Sequence, residues 1–299
     1  MKKGLKSILI CGGIALVVGL GLIVAGIVAG ASWFDVGDVI FSGKYSIGSN
    51  VTWGIGRSRD MESDKLEGEA NVLKDIDAKD IKKLNIEMAA GRLDIKVGKS
   101  EYLQVNNDEK RGDCYVNHVG NELTITINGK HNNSRGARTT LWIPSGLTIA
   151  DTNIRVDAGK VDVEEINATD LTIKVGAGQA ITGTINATTL DVEVDAGEFK
   201  SKGKVTADVV ELEVAAGSLN VDLLEARHAD LNVDVGHIKV KFAGKESDYN
   251  IEAKCDLGTV KIGNSTHHLG KGHQSHNPSV NKTIEVDCNV GQATINFNN

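Results

Sequence analysis

The sequence predicts an all-β protein in which a single-pass N-terminal transmembrane helix is followed by a β-solenoid, a parallel β-helix-like stack of strands. Three observations predict this fold. An apolar segment without a single charge runs from Ile8 to Ala31. Alternating apolar and polar residues, typical of strands, recur from Leu84 onward. A motif that ends in glycine occurs about eight times with a period of 19–20 residues, which is typical of rungs that bury their apolar side only by stacking.

The N-terminal segment has the features of a membrane anchor. Its 24 residues, Ile8 to Ala31, are sufficient to cross a hydrocarbon core of ~30 Å at ~1.5 Å per residue. Lysines precede the segment and Asp35 and Asp38 follow it. The positive-inside rule therefore predicts a cytoplasmic N-terminus and an extracellular C-terminal domain at the cell membrane. The alternative is a signal peptide cleaved near Ala31, but the apolar run exceeds the roughly 7–15 residues of a signal-peptide core.

We divide the chain into three parts. Residues 1–33 form a cytoplasmic tip and the transmembrane anchor, residues 34–80 a juxtamembrane stalk of mixed glycine, serine and charge, and residues 81–299 the solenoid. Two insertions, 99–151 and 264–282, interrupt the repeats, and the first contains further predicted strands around 102–105, 123–127 and 140–143. Because loops on a rigid scaffold commonly carry specificity, we expect a partner to bind at these insertions.

Each repeat places an inward residue three positions before its glycine. The eight pairs are Met88/Gly91, Val156/Gly159, Val175/Gly178, Val194/Gly197, Val214/Gly217, Val233/Gly236, Cys255/Gly258 and Cys288/Gly291. From Gly159 onward, successive glycines are 19, 19, 20, 19, 22 and 33 residues apart. A glycine at a corner allows a backbone φ that a Cβ resists, and it leaves room for the neighbouring rung.

The composition indicates a thin aliphatic core and limits the classes of partner. The 299 residues include 34 glycines and 2 prolines, and aromatic residues make up 4%. These values argue against a disordered chain and against an ordinary α/β enzyme with an aromatic core. Without the three lysines before the apolar segment, 30 basic residues stand against 40 acidic ones. An acidic domain without a basic stripe argues against nucleic acid as a partner.

These features together resemble a known family. A lysine-flanked anchor, the segment Leu-Trp-Ile-Pro-Ser-Gly-Leu at 141–147 and rungs of the form Leu-x-Val-x-Val-x-Ala-Gly are similar to the DUF4097 family of bacterial membrane-anchored β-strand-repeat proteins, which includes proteins labelled adhesins and LiaG-like envelope proteins. The resemblance covers about residues 80–299 and the anchor. It implies a β-solenoid in the envelope of a Gram-positive bacterium, and it implies no catalytic residues. Its motifs are structural, so they specify fold rather than activity.

The cysteines of the solenoid are interpreted as buried thiols. Cys255 and Cys288 occupy the inward position that valine occupies in other rungs, where a thiol behaves as a small hydrophobe. We expect them to be stacked neighbours; a disulfide between them is the alternative, although in-register parallel strands seldom suit its geometry. Cys114 has no equivalent in the repeats.

Two groups of residues suggest metal binding, and each has a simpler interpretation. Asp157, Asp195, Asp234 and Asp256 lie two positions before a glycine and could form a Ca²⁺-binding column, but their alternation with Gly176 and Ala215 suits a solvated corner equally well. Four histidines in the second insertion, namely His267, His268, His273 and His276, could bind Zn²⁺. We interpret the segment as a polar loop and assign no metal-ligating residue.

We therefore predict a non-catalytic interaction module, adhesin-like or accessory to envelope-stress signalling, with no catalytic or cofactor-binding residues. Expected partners are the membrane through the N-terminal helix, an envelope protein, a wall polymer or a second copy. The last strand, Ala293 to Phe297, ends two residues before the C-terminus and predicts an uncovered edge for self-association. The alternatives are a glycan-active β-helix enzyme, disfavoured because no Gly-x-Ser-x-Gly, phosphate-loop or His-Glu-x-x-His motif occurs, and a metal-binding envelope sensor using the histidine-rich loop.

Overall fold

The computed structural model describes residues 64–66, 72–107, 112–129, 138–268 and 273–298. The chain divides into two units, 1–60 and 61–299, and all the described residues belong to the second. The described part contains no helix with the length and hydropathy of a membrane span. The predicted transmembrane helix at 8–31 and most of the predicted stalk lie outside the described residues.

The second unit is built almost entirely of strands. The first nine are β1 (Asp64–Leu66), β2 (Val72–Asp77), β3 (Lys83–Met88), β4 (Arg92–Gly98), β5 (Tyr102–Asn107), β6 (Gly112–Val119), β7 (Glu122–Gly129), β8 (Arg138–Pro144) and β9 (Thr148–Val156). The next six are β10 (Lys160–Val175), β11 (Gln179–Asn186), β12 (Thr189–Val194), β13 (Glu198–Val214), β14 (Ser218–Val233) and β15 (His237–Ala243). A 3₁₀ turn (Glu246–Asp248) precedes the last six, β16 (Asn250–Cys255), β17 (Thr259–Ile262), β18 (Ser265–His268), β19 (His273–Ser275), β20 (Thr283–Cys288) and β21 (Gln292–Asn298).

Two parallel ladders run through the stack, one on each side of the glycine corner. Sheet A, before the corner, has the spatial order β7, β3, β9, the second half of β10, β12, the second halves of β13 and β14, β20 and β16. Sheet B, after the corner, has the order β8, β4, the first half of β10, β11, the first halves of β13 and β14, β15, β21 and β17. The predicted all-β solenoid is confirmed, and the described residues form nine layers rather than eight because β7 and β8 of the 99–151 insertion add one.

Each rung has three corners, which the burial pattern of β10 illustrates. Val161 and Val163 point inward, then the phase shifts by one residue to Ile166 and Ala168, and again to Leu171. A strand keeps alternate residues on one side, so each shift marks a bend. The third corner is the glycine motif. The chain thus encloses its core with short straight segments, and small aliphatic side chains fill it.

A column of nine inward residues shows how the repeat builds this core. Its members in spatial order are Ile127, Met88, Val156, Val175, Val194, Val214, Val233, Cys288 and Cys255. All are buried. Each such side chain contributes roughly 1.5–3 kcal/mol when it is removed from water, but only while the layers on both sides are in place.

The corner glycines are required for space more than for backbone freedom. Among the eight, all of which are described, Gly91 has a positive φ of 109° and the other seven do not. A Cβ on Gly178 would lie 2.5 Å from the carbonyl oxygen of Gly159 and 2.8 Å from Cγ1 of Val156. The layers therefore approach too closely at this corner for any side chain, which corrects the expectation that φ was an equal reason.

The layers do not follow chain order at the C-terminal end. β20 lies between β14 and β16, and β21 lies between β15 and β17. The final segment of the chain is therefore inserted between two earlier rungs. The prediction that Ala293 to Phe297 forms an uncovered edge is wrong, because β21 pairs with a strand on each side.

Antiparallel strands cover the outermost layer at both ends. At the C-terminal end, β18 pairs with β17 and β19 pairs with β16. At the other end, β6 pairs with β7 on one side and with β1 on the other. In the same way, β5 pairs with β8 and with β2. Both insertions thus supply covers for the ends of the stack, and residues of the segment 34–80 contribute β1 and β2. A role of the insertions in binding stays a prediction.

Candidate interaction surfaces

A row of apolar residues follows the glycine corner on its outer side. From Gly159 onward, the residue before each glycine is Ala158, Ala177, Ala196, Ala216, Val235, Val290 or Leu257, given in spatial order, and we call this set the corner row. Its last three members are large and exposed, with 52%, 52% and 68% of their surface accessible. At the alanine end the row borders a shallow groove of ≈ 560 Å³ lined by backbone of the Ala-Gly pairs.

Beside the corner row lies the column of predicted aspartates, and the structure reveals a stricter alternation than chain order suggests. Asn289 lies between Asp234 and Asp256 because β20 is inserted there. The column in spatial order is Asp157, Gly176, Asp195, Ala215, Asp234, Asn289 and Asp256. Every carboxylate is separated from the next by a neutral residue, which limits repulsion between stacked like charges.

The rule is broken elsewhere in sheet A, for example at the single pair Glu193 and Glu213, and in one column over five layers. Five carboxylates occupy successive layers with no neutral or basic residue between them, and we call them the acidic ladder: Asp191, Glu211, Asp230, Glu285 and Glu252. Neighbouring strands lie ~4.8 Å apart, so each adjacent pair costs about 1 kcal/mol at low ionic strength in water. The ladder occupies the same five layers as Ala196, Ala216, Val235, Val290 and Leu257 of the corner row.

Lysines neutralise the carboxylates only at the two ends of this surface. Lys174 forms an ion pair with Glu193, in the column beside the ladder. Lys254 lies 3.3 Å from Oε1 of Glu252. Glu211, Asp230 and Glu285, in the middle of the ladder, make no ion pair with any residue that the structure describes. The centre of the ladder therefore carries its negative charge uncompensated.

The ionisation of this surface reflects the crowding. Burial raises the pKa of Asp230, and the nearby charge of Asp287 adds to the increase. Burial also raises the pKa of Glu213, followed by the charges of Glu193 and Asp234. For Asp191, burial raises the pKa against the opposing attraction of Lys174. All three carboxylates thus bind protons more readily than ordinary ones do.

A column of lysines that alternate with neutral residues lies on the other side of the glycine corner. One outward column of sheet B reads Lys200, Asn220, Lys239, Thr294 and Lys261 over the corresponding layers. Each lysine is separated from the next by a neutral residue. Over these five layers the corner row therefore divides an acidic column, where like charges stack directly, from a column of lysines, where neutral residues separate them.

A buried carboxylate near the other end of the stack has a structural explanation. Asp94 is 3% exposed. Nε of Arg138 donates to its Oδ2 at 2.6 Å, and Nε of Arg92 donates to Oδ1 at 3.1 Å. Burial acts to raise the pKa of Asp94, but these hydrogen bonds outweigh it and the pKa is lowered. Arg92 also lies 2.8 Å from Oδ2 of Asp162, so the charges are paired and hold β4, β8 and β10 together.

The predicted thiols behave as expected. Cys255 and Cys288 are partners in the parallel ladder, and both are buried and unbridged, as is Cys114. Burial raises the pKa of Cys114 to about 11. Burial also raises the pKa of Cys288, with the neighbouring Cys255 contributing. These groups are poor nucleophiles because the thiolate is disfavoured.

The two groups considered as metal ligands are the aspartate column and the histidine-rich segment. Within the described ranges, no three histidine, cysteine, aspartate or glutamate side chains converge in an arrangement that would hold a metal ion. His267 and His268 lie in β18, which pairs with β17, whereas His273 lies in β19, which pairs with β16. The histidine-rich segment is thus divided between two covering strands rather than forming one loop.

Analysis of the sequence found the aspartate column and missed the acidic ladder. The signal was present, since Asp191, Glu211 and Asp230 each lie three positions before the inward valine of their repeat. Glu252 and Glu285 hold the same position before Cys255 and Cys288, and the inserted strand sets their order as Asp230, Glu285 and Glu252.

Comparisons with solved structures identify proteins of similar size. A putative adhesin from Bacteroides fragilis is 15% identical, with a TM-score of 0.40, and the match covers 76% of this chain and 97% of that one. A putative lipid binding protein from Parabacteroides distasonis is 16% identical, with a TM-score of 0.40 and coverages of 77% and 98%. A putative cell adhesion protein from Clostridium sporogenes is 14% identical, with a TM-score of 0.31 and coverages of 79% and 100%. No curated protein matches the chain.

The stacked glycine-corner repeats that form both surfaces also lie in the part of the chain that matches a protein family. The family described as Toastrack DUF4097 matches residues 79–268, which include every strand from β3 to β18. The chain therefore belongs to the DUF4097 family, as its anchor-and-repeat pattern predicted.

Proposed function

We propose that this protein is a membrane-anchored, extracellular β-solenoid that acts as a non-catalytic interaction module, either adhesin-like or accessory to envelope-stress signalling. The observation that carries the proposal is the corner row with its three exposed members, Val235, Val290 and Leu257. Apolar residues that are contiguous and exposed are a feature of surfaces that bind partners.

The construction of the stack supports such a role. Its two ends are covered by antiparallel strands, so contact with a partner through its sides needs no addition of a strand to the stack. A paired and covered edge also limits uncontrolled strand pairing with other chains. A stiff body with covered ends can present a side surface at a fixed orientation.

The anchor part of the proposal rests on the apolar residues 8–31 and the lysines before them. In this arrangement the helix holds the solenoid at the outer face of the cell membrane. The partner is then an envelope protein, a wall polymer or a second copy.

Membrane fractionation and protease accessibility test the location. An epitope placed after Asn299 should be digested by protease added to intact protoplasts, and the full-length chain should remain in the membrane after an alkaline wash. Removal of residues 8–31 should abolish membrane retention. Protection of the epitope, or release of the full-length chain by the wash, would contradict the proposal.

A panel of photo-crosslinking positions tests the interaction role. A photoreactive amino acid on different sides of the solenoid, for example at Tyr102, Leu257 or Thr294, should capture a defined envelope component from at least one side. Release of soluble fragments from purified wall polymer by the full-length chain, without such capture, would favour a glycan-active enzyme instead.

A further inference from the structure

We infer that the corner row and the acidic ladder together form a docking surface for a cationic amphipathic helix of a partner protein. The inference rests on the proposed role as an interaction module and names the chemistry of its partner.

The apolar half of this surface is Val235, Val290 and Leu257, which lie on three adjacent layers and leave more than half of each residue exposed. The equivalent positions of the preceding layers are alanine. The row therefore changes from small to large side chains at Val235, on the third of the five layers that the acidic ladder occupies. A partner that covers these side chains gains the burial of a continuous apolar strip.

The acidic half identifies the charge of the partner. Like charges also stack directly in sheet B, where Arg138, Arg92 and Lys160 occupy successive layers, but ion pairs with Asp94 and Asp162 neutralise them there. The centre of the ladder stacks carboxylates without such an ion pair among the described residues, and a repulsion left unrelieved in this way points to function. Basic side chains supplied by a partner would convert the repulsion within Glu211, Asp230 and Glu285 into attraction.

The spacing of the layers favours a helix over an extended strand. Five layers at ~4.8 Å span about 19 Å. A helix with a pitch of ~5.4 Å presents one side chain per turn at nearly this spacing and covers the span with about 13 residues. An extended strand repeats every ~6.6–6.8 Å and loses register after two layers. The ladder and the corner row are five residues apart on each rung, at most about 17 Å in an extended strand. A helix ~10–12 Å wide that lies between them along the stack can extend long basic side chains to the ladder and apolar side chains to the corner row.

A second copy of this chain fits the docking surface less well than a cationic helix does. Its lysines on sheet B recur at every second layer, so they would match alternate carboxylates of the ladder only. Self-association is therefore an outcome that the experiment must distinguish.

The test measures binding of a labelled synthetic peptide of 15 residues. The peptide carries leucines on one helical stripe and lysines on the adjacent stripe. Binding is measured to the full-length chain in nanodiscs of zwitterionic lipid, and the signal from empty nanodiscs is subtracted. The variant E211Q/D230N/E285Q should weaken the affinity about tenfold or more, as expected from three rim charges. L257S should weaken it severalfold. The charge-matched variant D80N/E101Q/D222N and the exposed apolar control V119S should bind within about twofold of the wild type.

Several results would overturn the inference. They are no binding of the peptide to the wild type, wild-type affinity in the ladder variant, and an equal loss of affinity in the charge-matched control. A concentration-dependent dimer that the ladder variant abolishes would identify a second copy as the occupant instead. Thermal unfolding of each variant confirms that binding is compared between folded proteins. The proposed function fails separately, through the location and crosslinking tests above.

Discussion

Nδ2 of Asn289 donates a hydrogen bond to Oδ1 of Asp234 at 2.8 Å. This contact exists because the last rung of the chain is inserted between two earlier rungs. It places a neutral amide between two aspartates, Asp234 and Asp256, that chain order would stack directly. The inserted strand therefore completes the alternation of charge along the glycine corner.

The substitution Asn289→Asp should lower stability. It would stack three carboxylates on successive layers and remove the donor to Asp234, and we expect the free energy of unfolding to fall by roughly 1–2 kcal/mol at low ionic strength. Urea unfolding at neutral pH measures the change. The control Asn289→Ala removes the hydrogen bond without adding charge, so it should lose less, and added salt should restore only the aspartate variant. Equal losses that do not respond to salt would contradict the electrostatic explanation.

The substitution Gly178→Ala should damage the stack. The added Cβ would lie 2.5 Å from the carbonyl oxygen of Gly159, so neighbouring layers must separate at a cost of about 2 kcal/mol or more. Thermal unfolding provides the measurement. Ala177→Ser, at the adjacent exposed position, should change stability by less than about 0.5 kcal/mol. An unchanged melting temperature for Gly178→Ala would show that the layers are not closely packed at this corner.

The substitution Thr152→Val should raise stability. Thr152 is fully buried between Leu84 and Leu171 of the neighbouring strands, and its Oγ1 has no hydrogen-bond partner among the described residues. Removal of an unsatisfied buried hydroxyl should raise the free energy of unfolding by about 1 kcal/mol. The half-exposed Thr172→Val is the control and should have little effect. A loss of stability in Thr152→Val would mean that the hydroxyl is satisfied after all.

Disruption of the C-terminal cover should cause self-association. Thr266 pairs with Lys261 and Gln274 pairs with Glu252, and proline at these two positions cannot donate to the ladder. We expect the double variant Thr266→Pro/Gln274→Pro to expose β16 and β17 and to form dimers or larger species in light scattering, because open edges pair with other chains. The double alanine variant keeps both N–H groups and should match the wild type. A monomeric proline variant with an intact circular dichroism spectrum would show that the cover is dispensable.

Mild acid should stabilise the wild type. The pKa values of Asp191, Glu213 and Asp230 are raised in the folded state, so the folded protein binds more protons than the unfolded one between the ordinary carboxyl pKa and the raised values. Stability therefore rises as pH falls through this window. At lower pH the trend reverses, because the pKa of Asp94 is lowered and its stabilising contribution is lost as it protonates. Urea unfolding from neutral pH downward should show a maximum.

The variant D191N/E213Q/D230N provides the control for that pH dependence. It should be more stable than the wild type at neutral pH and should lose the rise in mild acid, while the fall at lower pH remains. A wild-type profile that declines steadily from neutral pH would contradict the assignment of raised pKa values to these carboxylates.

The sequence was sufficient to predict eight of the nine layers but not their order at the ends. Period-two alternation and the glycine corner identify Val175, Val194 and Val214 as stacked inward residues because each layer repeats the last. Cys255 and Cys288 fit equally well beside Val233, since parallel strands of the same pattern are interchangeable. One physical signal favoured the observed order, namely that Asn289 relieves the repulsion between Asp234 and Asp256. The covers could not be derived, because short antiparallel strands such as β18 and β19 are specified by the edge that they pair with.

Photo-crosslinking of the full-length protein in its native membrane tests the central claim most directly, with a photoreactive amino acid at Val290 or at Val119. The two positions are equally exposed, 52% and 54%, but Val290 lies in the corner row and Val119 lies in the cover at the other end. We predict that position 290 captures a partner whose crosslinked peptide is a basic amphipathic helix, and that position 119 does not. Capture of the same partner proteins from both positions would contradict the account, and so would capture of no partner from position 290.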